Sequence, residues 1–77
     1  MHKFIEVEFG NSINPLDTYA MCILAYTIPS TEKVFAFCEK DMQRLGLDEI
    51  RSIREISEQE ALSDYDMSHK EQFSILE

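Results

Sequence analysis

The side chains best suited to metal or nucleophilic chemistry in this 77-residue chain are His2, Cys22, Cys38 and His69. A structural zinc site needs four such ligands, organised by a close pair such as Cys-x-x-Cys or His-x-x-x-His. Neither pair occurs, so the expectation is no metal. Asp64-Tyr65-Asp66 sets two carboxylates one residue apart, but lacks the glycine and the distal bidentate glutamate of a calcium loop. It reads as a solvated acidic turn. A serine or cysteine nucleophile needs a base held beside it, and both histidines lie near the ends of the chain. Cys22 and Cys38 stand in apolar stretches, where burial raises a thiol pKa and blunts its reactivity. The only glycines, Gly10 and Gly46, are isolated, so no glycine-rich phosphate loop can form. With fifteen acidic residues, some paired carboxylates are expected by chance. These observations point to a protein that is not an enzyme and carries no cofactor.

What remains is charge. The formal net charge is −8, and it is unevenly placed. Residues 1–31 carry −2, residues 32–47 are neutral, and residues 48–77 carry −6. Phosphate backbones repel such a chain, and direct nucleic-acid binding requires the opposite footprint. Anionic membrane surfaces are disfavoured for the same reason. A partner selected by charge is therefore a basic protein surface, with a nucleic-acid-binding protein as one such class. The candidate partner-binding residues are Glu55, Glu58, Glu60, Asp64, Tyr65 and Asp66, an acidic face with one aromatic anchor. Carboxylates held on a scaffold can occupy a groove built for phosphates and exploit its steering field. The plainer reading is a solvated helix face, with Glu58 and Glu60 favourable at a helix N-terminus. In size and charge alone the chain is similar to small phage-encoded inhibitors of bacterial defence systems.

A chain of this length allows one domain and buries only about 60% of the surface its unfolded form exposes. Residues 1–66 are expected to form that domain, with 67–77 as a polar tail. Met1-His2-Lys3-Phe4 leads into alternating residues with no long apolar h-region, which predicts a non-secreted, cytoplasmic protein with reduced cysteines. The longest apolar run, Tyr19 to Ile28, is too short to cross a bilayer.

The elements that must position these residues follow from periodicity. Ile5, Val7 and Phe9 alternate with Phe4, Glu6 and Glu8, the period-two pattern of a half-buried strand. Gly10-Asn11-Ser12 and Asn14-Pro15 mark a loop. Residues 18–28 are rich in β-branched and aromatic side chains and predict a strand, although Asn14-Pro15-Leu16-Asp17 could instead open a helix. With Tyr19, Met21 and Ile23 on one face and Cys22, Leu24, Tyr26 and Ile28 on the other, that strand is expected to be central and covered on both sides. Ser30 or Thr31 can cap a helix ending at Gly46, with Val34, Cys38, Met42 and Leu45 at helical spacing and Phe35 and Phe37 nearby. Ile50, Ile53 and Ile56 are three apart, which suits a helix. Yet Ser57-Glu58-Gln59-Glu60 is a capping box and announces a new helix. The reading is a strand over 50–56 and a short helix over 58–65, against one kinked helix from 48 onwards. The sum is a ββαβα chain of the α+β class, a three-stranded sheet packed against one main helix and a short C-terminal helix.

Five Phe, three Tyr and four Met exceed what such a fold readily hides. An alternative function follows: a structural or regulatory subunit that forms a homodimer or docks through an apolar sheet face or the tail. Phe73, Ile75 and Leu76 are the candidate oligomer or docking contacts.

Overall fold

A computed structural model of the chain describes residues 2–65 and the backbone of Ile75 and Leu76. Asp66, His69, Phe73 and the expected boundary between domain and tail lie outside the described residues. The elements are β1 (Lys3–Gly10), β2 (Thr18–Ala25), α1 (Thr31–Leu45), β3 (Glu49–Ile56), α2 (Glu58–Asp64) and β4 (Ile75–Leu76). The α+β class, a sheet of three long strands and the ββαβα order are as expected from the sequence, and both pairings of β1 are antiparallel. The two-residue β4 adds a short parallel pairing beside Leu24 and Ala25 of β2.

The sheet order is β3-β1-β2-β4, which puts β1 rather than β2 at the centre of the three long strands. The expected central strand over 18–28 is thereby corrected. β2 ends at Ala25 because Ala25 pairs with Lys3, the first residue of β1, and no further partner exists beyond it among the described residues. Tyr26 and Ile28 emerge instead into an exposed turn before Pro29, and Tyr19 is half exposed on β2 itself. The helix start considered at Asn14 amounts to one turn, closed by the Asp17 amide on the Asn14 carbonyl.

β2 and β3 both run antiparallel to β1, so α1 carries the chain over β1 from one to the other. Ile5, Val7 and Phe9 of β1, Ile23 of β2, and Val34, Cys38 and Met42 of α1 close into the main core. Fully burying a side chain of this kind contributes about 1.5–3 kcal/mol, so this layer dominates stability. α1 starts where Ser30 accepts a hydrogen bond from the Lys33 amide at 3.2 Å. It stops at Gly46, whose φ of 73° is left-handed. The Gly46 amide donates to the Gln43 carbonyl and the Leu47 amide to the Met42 carbonyl, a Schellman motif. Leu47 folds back into the core beside Met42, while Leu45, with Phe35 and Phe37, remains about 40% exposed.

β3 resolves the spacing of its isoleucines through a β-bulge. Ile53 stands opposite Val7 and Ile50 opposite Phe9, with Arg51 as the extra residue. Ile50 and Ile53 thus both face α1, and Ile56, three further on, faces the other side beside Cys22 and Ala61. α2 covers that side at one end, over a small second core of Cys22, Ile56 and Ala61 with Phe4 and Tyr65. Cys22 and Cys38 therefore occupy opposite faces of the sheet, both free and buried, and no disulfide can join them.

Candidate functional site

The acidic residues singled out by the sequence gather around α2. Ser57 caps this helix, its hydroxyl accepting from the Glu60 amide at 3.1 Å. Ala61 is its buried contact with the sheet. At 100° per residue, Glu60 and Asp64 fall on one flank of the buried line and Glu58 on the other. Gln59 and Ser63 form the outer crest between them. A shallow recess of about 360 Å³ lies along this crest, lined by Ser57, Gln59, Glu60 and Ser63. Hydroxyls, an amide and a carboxylate around one recess suit the donors of a lysine or arginine side chain.

The predicted residues differ in how they are engaged. Glu58 and Asp64 are exposed and have no cation within bridging distance among the described residues. Glu60 lies 3.5 Å from Arg54, and Glu55 lies 3.3 Å from Lys3, both pairs at the surface. Such pairs are worth little and exchange readily. Tyr65 is half-buried against the second core, and its hydroxyl donates to Glu6 at 2.9 Å.

In the sequence Glu6 stands out only as part of the polar face of β1. Its carboxylate, 14% exposed, accepts from Arg54 Nε at 2.9 Å and lies 2.8 Å from Arg54 Nη2. Tyr65, Glu6, Arg54 and Glu60 form one chain of polar contacts that ties the end of α2 to β1 and β3. The hydrogen bond to Glu6 raises the Arg54 pKa further. Burial, then the bond to Glu6, pushes the Tyr65 phenol well above its ordinary value. Cross-strand pairing at residues 6 and 54 on the same face was visible only once the register was known.

A second polar cluster sits at the opposite end of the strands. Arg51, projected by the bulge, donates to the Pro15 carbonyl at 3.0 Å, to Thr18 Oγ1 at 2.8 Å and to the Asn11 carbonyl at 3.2 Å. Its Nε also donates to Glu49 at 3.2 Å. Asp48 accepts from the Ser12 amide at 2.8 Å and the Ser12 hydroxyl at 2.6 Å, and these bonds hold its carboxyl below the usual range. Asn11 donates to the Gly46 carbonyl and accepts from the amides of Ile13 and Asn14. The β1–β2 loop is thus fixed, yet its Ile13 and Leu16 are 90% and 89% exposed. Asx residues two places before each of these apolar side chains are the signal that could have revealed the loop geometry.

Burial raises both thiols, Cys38 to about 11, and the nearby carboxylates of Glu6 and Asp41 add to the effect at Cys22 and Cys38 respectively. The His2 ring stacks on Tyr26 with centroids 4.4 Å apart. Among the described residues no three His, Cys, Asp or Glu side chains converge as a metal-holding group, and no helix is long and apolar enough to cross a membrane. Compared with protein-family models, curated proteins and solved structures, the chain matches none.

Proposed function

We propose that this chain is a small non-enzymatic binding protein that engages a basic protein surface through α2, as an inhibitor or modulator of that partner. The observation that supports this reading is a polar recess lined by Ser57, Gln59, Glu60 and Ser63 on a helix that also carries two exposed carboxylates, Glu58 and Asp64, with no cation in bridging distance among the described residues. A partner's arginine or lysine seated there meets Glu60, Gln59 and two serine hydroxyls, and displaces only a surface ion pair. Partners with phosphate-binding grooves are the class best matched, because their positive field attracts a chain of net charge −8. Tyr65 and Glu6 contribute by fixing the end of α2, so the carboxylates are displayed on a held helix.

The test is affinity capture from the native host at low and high salt, with the wild-type chain and a Glu58→Lys, Glu60→Lys, Asp64→Lys variant. Capture should fall steeply with salt, as screening predicts, and be lost in the folded variant. A partner retained equally by the variant, or held equally well at high salt, overturns the reading.

A further inference from the structure

Ile13 and Leu16, in the loop between β1 and β2, are 90% and 89% exposed. The next most exposed large apolar side chain among the described residues, Ile28, is 56% exposed. Neither loop side chain orders the loop by packing. Polar bonds do so instead, and they engage every amide from Ser12 to Asp17. Asp48 takes the Ser12 amide, the Asn11 side chain takes those of Ile13 and Asn14, and the Asn14 side chain takes that of Leu16. The Asp17 amide donates to the Asn14 carbonyl, and Pro15 has no amide to offer. A loop held this way gains no stability from two aliphatic side chains in water. It also loses little conformational entropy when something covers them.

The polarity of the backbone identifies what covers them. Arg51 holds the carbonyls of Asn11 and Pro15, whereas those of Ser12, Ile13 and Leu16 accept no bond from the described residues. With Asp17 exposed beside them, the loop presents acceptors and no free main-chain donor. A second copy brings the same acceptors and the same carboxylate, so loop cannot satisfy loop. The hydrocarbon of a bilayer contains no donors, and burying these carbonyls there is costly. A receptor that adds a strand needs amides as well as carbonyls, and here the amides are spent. We propose that this loop anchors the chain in an apolar cleft of a partner protein. Ile13 and Leu16 fill the cleft, and donors at its rim (arginine, lysine or main-chain amides) meet the three carbonyls and Asp17.

The inference does not depend on the α2 reading, since it rests on a loop at the other end of the strands. The experiment places a benzophenone amino acid at position 13, and separately at 16, of the full chain and irradiates it in native-host extract. The protein captured is then purified and titrated with the wild-type chain and variants by calorimetry. One protein should be captured from both positions. Ile13→Ser and Leu16→Ser should each raise its dissociation constant about tenfold or more, and the double variant about a hundredfold. The heat-capacity change of binding should become less negative in step. Asn11→Ala frees the amides of Ile13 and Asn14 while keeping both apolar side chains, and should also weaken binding. Circular dichroism checks that each variant is folded.

The Glu58→Lys, Glu60→Lys, Asp64→Lys variant separates the two sites. Binding lost in that variant but kept in the Ile13→Ser, Leu16→Ser double variant overturns the loop proposal and leaves the α2 reading standing. The reverse result supports the loop and overturns α2. Three further outcomes each overturn the loop proposal: no crosslinked protein, crosslinking only to a second copy, or sedimentation with phosphatidylcholine vesicles that requires Ile13 and Leu16.

Discussion

The guanidinium of Arg51 lies against Gly10, so closely that a β-carbon at Gly10 would clash with Arg51 Nε and Cζ. Glycine is required at position 10 by that contact and not by its backbone angles, since only Gly46 has a positive φ among the described residues. Gly10→Ala must swing Arg51 aside and break its bonds to Asn11, Pro15 and Thr18. The expected cost is about 1–3 kcal/mol, read from urea unfolding. In an Arg51→Ala background the same substitution should cost almost nothing. Additive losses in that double-mutant cycle would show that the two residues do not share the site.

Tyr65→Phe removes the hydroxyl that bonds Glu6 and leaves a mostly buried carboxylate short of one donor. A loss of about 1–2 kcal/mol is expected in chemical denaturation, with faster amide exchange at the end of α2. Unchanged exchange around Ala61 would mean that the bond does not hold the helix down.

Ile13 and Leu16 present the opposite case. Both are almost wholly exposed on a loop fixed by polar side chains. The double change to serine should alter stability by no more than about 0.5 kcal/mol, whereas Ile5→Ala in the main core should cost about 2–5 kcal/mol. Thermal melts of the two variants decide this. Substantial unfolding by the loop variant would place these side chains in a contact that the fold does not show.

Cys38 sets an alkaline limit. Its thiol rises from an ordinary 9.0 to about 11 because the fold buries it, so the folded state favours the protonated form. The stability this confers is fully present below pH 9.0 and is lost as pH rises through about 11. Urea midpoints measured across that window should fall for the wild type and fall less for Cys38→Ala, which starts lower. In the native protein at neutral pH, Cys38 should react with thiol reagents only as fast as the chain opens.

How much of this was legible depends on the range of the interaction. Ser30, Gly46 and Ser57 mark helix ends by bonding to residues within a few positions, so their roles are written in local sequence. The spacing of three at Ile50, Ile53 and Ile56 suits a helix, and the strand there is legible only through the capping box at Ser57, which announces a new helix. The same spacing fits a strand once a bulge at Arg51 turns two consecutive residues outward. The Glu6–Arg54–Tyr65 chain was hidden because its members are 48 and 59 positions from Glu6. Only register brings them together.

The sequence by itself determined the class of the molecule: alternation gave β1, caps and apolar spacing gave α1, and composition gave a small acidic domain with surplus charge after Leu47. Those properties arise from local periodicity and from sums over the chain, which need no partner to be evaluated. Tertiary structure alone decided that β1 is central, that Cys22 and Cys38 lie on opposite faces of the sheet, and that one edge of β3 is left unpaired among the described residues. Each depends on which strands pair and in what register. That choice is made by burying Ile5, Val7 and Phe9 beneath α1, a long-range fit that no local pattern encodes.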